Sequence, residues 1–320
     1  MIETHNLRRT FASRGKRGKV EAVRGIDFQV LRGEIFGLLG PNGAGKTTTM
    51  RMLCTLLIPT TGSVTIAGHS LSHQHLEIRK RIGYVSQVGG MQREATGREN
   101  LMLQAKLYGM TVAEATARVE ELLTLLNLHE FADRKTSTYS GGQRRIFDLA
   151  CGIVHRPELL FLDEPSTGLD PQNRAQVWEQ VKKLRDQGTT IFVTTHYLEE
   201  ADALCDRVAI VDHGIIVAMG TPAELKKTIG EDSITLEFAD STQAQYVSML
   251  LEGSPLVRSH TLEERTVRLY VDHGDATLPT ILDLLHQQNR PVARIALAHP
   301  TLDDVFLKLT GRTLEASEAR

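Results

Sequence analysis

The residues with the plainest chemical purpose are Gly40-Pro41-Asn42-Gly43-Ala44-Gly45-Lys46-Thr47-Thr48, which match G-x-x-x-x-G-K-[ST] directly after the apolar run Ile35 to Leu39. Glycines at 40, 43 and 45 let the backbone curl until successive N–H groups converge on phosphate oxygens, and the helix expected next presents its positive end to the same anion. Lys46 would reach the β and γ phosphates, and the Thr47 hydroxyl would offer Mg²⁺ a hard oxygen ligand. A glycine-rich turn with a surface lysine is the plain alternative, and the full pattern between strand and helix argues against it.

Two carboxylates follow a second apolar run: Leu159 to Leu162 ends in Asp163-Glu164-Pro165. A strand there would place both at the carboxyl edge of a sheet, the usual ligand side of an α/β fold. Asp163 suits a metal-orienting carboxylate, and Glu164 could take a proton from water attacking a γ phosphate. Alone, Asp-Glu after a strand is more often a solvated strand end. The phosphate loop in the same chain favours the chemical reading.

Tyr139-Ser140-Gly141-Gly142-Gln143-Arg144-Arg145, just upstream of these carboxylates, resembles the signature motif of ABC ATPases. Gln87 after Tyr84-Val85, the run Ser166 to Asp170, and His196 after Ile191 to Thr194 follow that family's motif order. The resemblance covers about residues 1–228. Thr96 to Leu101, and Pro300 to Phe306 with Leu309 to Arg312, are similar to the drug-exporting subgroup related to daunorubicin-resistance ATPases. It implies a P-loop NTPase core of ABC type, working as a head-to-tail homodimer that holds two ATP molecules between one copy's phosphate loop and the other's signature. Ser140, Gly141, Gly142 and Gln143 would then contact ATP at a helix N-terminus. Gln87 would contact Mg²⁺ or the attacking water. His196 would bind the γ phosphate beside Glu164, Asp170 would help couple the two sites, and Phe11 would stack on adenine. Tyr139 stands where leucine is commoner, and Phe11 has no hydroxyl to donate.

The elements that must carry these residues can be read from apolar patterning. Thr4 to Phe11 and Val23 to Val30 read as strands; the basic stretch Ser13 to Lys19 between them reads as a solvated turn, with a nucleic-acid patch as the sharper alternative. Ile35–Leu39, Ile82–Val85, Leu159–Leu162, Ile191–Thr194 and Val208–Val211 read as buried, largely parallel strands of an α/β sheet. Arg98 to His155 is mainly helical in period, for instance Ala113 to Leu128, and predicts a helical insert over about residues 91–155. After about Gly230 the order changes to a strand at Ser233–Phe238, a helix near Ala244–Leu251, strands near Leu256–Ser259 and Val267–Val271, a helix near Pro279–Gln288 and a strand near Val292–Ala296. That predicts a small α+β, ferredoxin-like domain over 229–320, closed by a helix from Leu302 to Leu309 capped at Thr301 or Asp303.

Composition narrows the function classes. In 320 residues, 41% are hydrophobic and 24% charged, with a formal net charge of −2, so no global attraction to nucleic acid or an anionic membrane is expected. Cys54, Cys151 and Cys205 are few and scattered, which argues against a disulfide framework and suits a reducing cytosol. Arg8-Arg9 is not followed by the apolar run of an export signal. No window approaches the roughly 18 to 20 apolar residues of a spanning helix. Membrane work would therefore need a separate permease, with this chain peripheral on the inner face of the cell membrane. The leading expectation is an ATPase subunit of a small-molecule exporter. Alternatives are a non-transport ABC ATPase acting on nucleic acid or ribosomes, and a drug-sequestering protein. One phosphate loop and no long coiled-coil insert argue against the first, and no readable apolar pocket supports the second.

Overall fold

The structure, a computed structural model, describes residues 1–12, 18–228 and 232–311, so Ser13 to Arg17 of the basic stretch lie outside the described residues. The described chain divides into two compact units, Met1–Pro222 and Ala223–Gly311.

In the first unit β1 (Ile2–Ala12), β2 (Lys19–Val30) and β3 (Ile35–Leu39) lead through the phosphate loop into α1 (Lys46–Leu53), followed by β4 (Thr61–Ile66), β5 (His69–Ser70), α2 (His75–Arg81) and β6 (Ile82–Val85). β1, β2, β4 and β5 form an antiparallel sheet in the order β2-β1-β4-β5. β1 starts earlier than the apolar alternation suggested, because a register shift between Thr4 and Leu7 breaks the two-residue period there.

α3 (Gly97–Leu107), α4 (Val112–Leu125) and α5 (Gly141–Gly152) make the helical insert between β6 and β7 (Leu159–Asp163). Thr96, Thr111 and Ser140 each start their helix with a reciprocal capping box, to Glu99, Glu114 and Gln143. Tyr139 fills the leucine position without strain: its ring lies 4.9 Å from that of Phe147, and its hydroxyl donates to the Phe131 carbonyl at 2.6 Å.

The unit continues through α6 (Pro171–Asp186), β8 (Thr190–Thr195), α7 (Leu198–Leu204), β9 (Arg207–Asp212) and β10 (Ile215–Gly220). The five runs read as buried strands pair in parallel in the order β9-β3-β8-β7-β6, and β10 adds an antiparallel edge. β3, β7 and β8 are buried at every residue, which explains their lack of polar alternation. β4 and the edge strands β5 and β10 are half-exposed, and an apolar-run reading does not see them. The two sheets close on one core in which Phe28 of β2 stacks on Phe36 of β3 at 5.5 Å, and Phe192 of β8 meets Phe36 and Phe161 at 5.7 and 5.6 Å.

The division between the units falls at the start of α8 (Pro222–Lys227). The second unit then runs β11 (Asp232–Glu237), α9 (Ser241–Leu251), β12 (Ser259–Glu263), β13 (Thr266–Val271), α10 (Gly274–Gln287), β14 (Arg294–Ala298) and α11 (Leu302–Thr310). Its sheet order β12-β13-β11-β14, antiparallel throughout, is ferredoxin-like. Ile234, Leu236, Val267 and Leu269 of the sheet pack with Val247, Ile281 and Leu285 of the helices. The strand expected near Leu256–Ser259 lies at Ser259–Glu263, because tight pairing with β13 sets it; Leu256 and Val257 pack on the core from the preceding loop. Thr301 caps α11 with Asp304 as its reciprocal partner. Among the described residues no helix is long and apolar enough to cross a membrane.

Candidate nucleotide site

β3 lies between β8 and β9, so the loop Gly40 to Gly45 emerges at the carboxyl end of a central strand. Gly45 is required there twice over: its φ is +102°, and a Cβ would stand 2.4 Å from the Ala22 carbonyl. Pro41 and Ala44 are buried, Asn42 and Gly43 face solvent, and Thr48 is half-buried in the first turn of α1. Lys46 is only 4% exposed, and its Nζ donates to the carbonyls of Gly40 at 2.6 Å and Pro41 at 3.1 Å.

The carboxylates at the end of β7 meet this loop. Thr47 Oγ1 donates to Asp163 Oδ1 at 3.5 Å, and Thr194 Oγ1 of the neighbouring β8 donates to the same oxygen at 2.6 Å. Glu164 has a left-handed backbone, φ +46°, uncommon for a residue with a side chain. Its N–H donates to the carbonyl and hydroxyl of Thr194 at 3.0 and 3.2 Å, which holds that conformation. Such strain is stored where the surrounding fold over-determines it.

Glu164 is the hub. Lys46 Nζ stands 3.5 Å from Oε1; Gln87 Nε2 donates to Oε2 at 2.9 Å, His196 Nδ1 lies 3.3 Å from Oε2, and Thr167 Oγ1 donates to it at 3.3 Å. Burial alone would raise this carboxyl, but the contact with His196, the Lys46 charge and Thr167 together hold it below the usual carboxylate range. Lys46, Thr47, Gln87, Asp163, Glu164 and His196 thus come together from four separate chain segments. A carboxylate kept ionised beside an ammonium, at a phosphate-shaped loop, can bind an anion and accept a proton from water.

The signature residues form a second cluster. Ser140 is exposed and caps α5, accepting from Gln143 N at 3.2 Å while its own N–H donates to Gln143 Oε1 at 3.1 Å. Asp170 caps α6 by accepting from Asn173 N at 2.9 Å. The two helix starts touch: a Cβ on Gly142 would meet Asn173 Oδ1 at 2.2 Å. Gly141 is exposed beside Leu169. Phe11 pairs with Val20 across β1 and β2, and its ring carries the Arg9 guanidinium at 4.6 Å.

Two residues escaped the sequence reading. Thr194 was read only as the end of a strand, yet it organises both carboxylates. Arg145 is 6% exposed and donates to the carbonyls of Pro165 at 2.8 Å, Ser86 at 2.7 Å and Asp163 at 3.0 Å, so α5 fastens the segments bearing Gln87 and Glu164. Helical spacing carried a signal, since Arg145 shares a buried face with Gly142 and Leu149.

This fold and this site define a P-loop ATPase of the ABC type. Residues 23–167 match the ABC transporter family, and residues 220–310 match the DrrA1-3-like C-terminal domain of ATP-binding proteins. The chain is 41% identical over 291 residues to the daunorubicin/doxorubicin resistance ATP-binding protein DrrA of Streptomyces peucetius, covering 91% of this chain and 88% of that protein. It is 34% identical over 316 residues to the linearmycin resistance ATP-binding protein LnrL of Bacillus subtilis (strain 168), covering 98% and 99%. Among solved structures, a dimeric ATP-binding cassette in a post-hydrolysis state bound to ADP and Pi superposes with a TM-score of 0.62 at 25% identity, covering 69% of this chain and 98% of that one. The chain belongs to the ABC transporter family, and it is an ATP-binding protein that hydrolyses ATP.

Proposed function

We propose that the chain powers a separate membrane permease that exports a drug-like or other small molecule. It would work as a homodimer bound peripherally to the inner face of the cell membrane, with residues 1–228 as the ATPase domain and 229–320 as an accessory domain. The resistance functions named for DrrA and LnrL support the export reading.

The observation that carries the mechanism is the convergence of Lys46, Gln87, His196 and Thr167 on Glu164. In this reading the backbone from Gly40 to Thr48 and the Lys46 ammonium hold the β and γ phosphates. Thr47 and Asp163, hard oxygen donors on adjoining segments, fit Mg²⁺, with Gln87 beside them; the ion would supply charge neutralisation across the phosphates. Glu164 accepts a proton as water attacks the γ phosphorus and the bond to the β-phosphate oxygen breaks. His196 orients Glu164 and the γ phosphate. Ser140, Gly141, Gly142 and Gln143 are exposed or half-exposed around a helix N-terminus, apart from Gly142, which supports their contacting the ATP of a second copy. Asp170, at the adjoining helix start, would couple the sites, and Phe11 would stack on adenine.

The test is light scattering of the Glu164→Gln protein with MgATP. A stable dimer with two nucleotides is expected, and adding Ser140→Arg should return it to monomer. A protein that stayed unpaired while consuming ATP at full speed would sink the reading.

A further inference from the structure

Asp148 of α5 is a buried carboxylate that none of the roles above uses. Its Oδ1 accepts from Gly90 N at 3.3 Å. Its Oδ2 lies against Gly89, where a Cβ would stand 2.6 Å from it and where φ is +78°, so the chain needs glycine there on both counts. Burial pushes the Asp148 carboxyl up, against the pull of the Gly90 N–H and of Arg145 and Arg144. The fold thus carries a desolvation cost at this position that packing alone does not explain.

The placement matters because of what these glycines adjoin. Ser86 to Gly89 form a tight turn: Gly89 N donates to the Ser86 carbonyl at 3.2 Å, and Ser86 Oγ donates to the Gly89 carbonyl at 3.3 Å. The middle residues of the turn are Gln87, which reaches Glu164 Oε2 at 2.9 Å, and Val88, which is 93% exposed. Packing therefore does not fix the tip, and α5 fixes the base instead. Arg145 donates to the Ser86 carbonyl at 2.7 Å at one end of the turn. Asp148, three residues further along the same buried helix face, takes the Gly90 N–H at the other.

We propose that Asp148 is a positioning residue for Gln87: together with Arg145 it clamps the segment Ser86–Gly90 to α5, so that Gln87 meets Glu164 and the nucleotide in one fixed place. This rests on the role proposed above for Gln87 beside Glu164 and Mg²⁺.

The test is steady-state ATP hydrolysis by the full chain. Asp148→Ala should lower kcat about three- to tenfold, the kinetic worth of one hydrogen bond, with KM within about twofold. Asp148→Asn, whose amide oxygen can still accept from the Gly90 N–H, should keep more than half of kcat. The loss should pass through Gln87, so Gln87→Ala and the double variant Gln87→Ala with Asp148→Ala should be equally slow. Gly89→Ala drives a methyl group at the same carboxylate from the loop side and should lower kcat by a similar factor, which keeps the clamp testable should Asp148→Ala fail to fold. Unchanged kcat in Asp148→Ala or Gly89→Ala, or additive losses in the double variant, would overturn the proposal. So would an equal loss in Asp148→Asn, which would mean that the charge beside Arg145 matters and the bond to Gly90 does not. Gln87→Ala run alone separates the two failures. If it hydrolyses normally, the underlying role of Gln87 falls; if it is slow while Asp148→Ala is normal, only the clamp falls.

Discussion

Both units lay helices against a β-sheet around an apolar core, yet among the described residues every buried charged or polar side chain except Ser248 belongs to the first unit. A buried charge costs free energy unless it is paired and hydrogen-bonded. In the first unit that cost is met by dense mutual pairing, at Lys46 with Glu164, at Arg145 with three carbonyls and at Trp178 with Glu200. The second unit keeps its ion pairs, such as Arg258 with Asp272, on the surface. The difference separates a fold that holds chemistry from one held by packing.

The strongest way to break that contrast is Glu164→Gln, which removes the proton acceptor while keeping the shape. ATP turnover should fall by about 10²- to 10⁴-fold while the nucleotide is retained, as measured by phosphate release and by filter binding. Leu269→Ala makes the matching cut in the second unit, at a fully buried core position. It should lower stability by about 2–5 kcal/mol in denaturant titration; a hundredfold loss of turnover per folded molecule along with it would show that the second unit also serves the chemistry. Lys46→Ala should weaken ATP binding by roughly 1.5–3 kcal/mol, read by calorimetry, because it deletes a charge-assisted donor.

The smallest effect is in pH. The folded pKa of Glu164 lies below its ordinary 4.5, so the stability its ionised form contributes is present above that value and is lost as pH falls through the folded pKa. The gap in Tm between the wild type and Glu164→Gln should therefore narrow as pH is lowered from 6 to below 4.5. A gap that widened on acidification would mean that burial, and not the Lys46 and His196 contacts, governs this carboxylate.

Much of the site was legible before any fold. The loop Gly40 to Thr48 is a local structure whose backbone demands appear directly as residue types, and the runs flanking Asp163 and His196 are continuous because their strands are buried on both faces. Half-exposed β4, β5 and β10 carry no such run. Arg145 and Thr194 were hidden for another reason: their partners are main-chain carbonyls and side chains brought close only by β6, β7 and β8 lying side by side.

Motif order and spacing by themselves determined that this chain has a phosphate loop, two carboxylates at a strand end and a signature turn, because each is set within a few consecutive residues. That Gln87, His196 and Lys46 all address one carboxylate was decided by the tertiary structure alone. So was the close approach of the two helix starts, where a Cβ on Gly142 would meet Asn173. Sequence dictates what each segment can do locally, while the parallel order β9-β3-β8-β7-β6 decides which segments end side by side, and hydrogen bonds only a few ångströms long cannot form until they do.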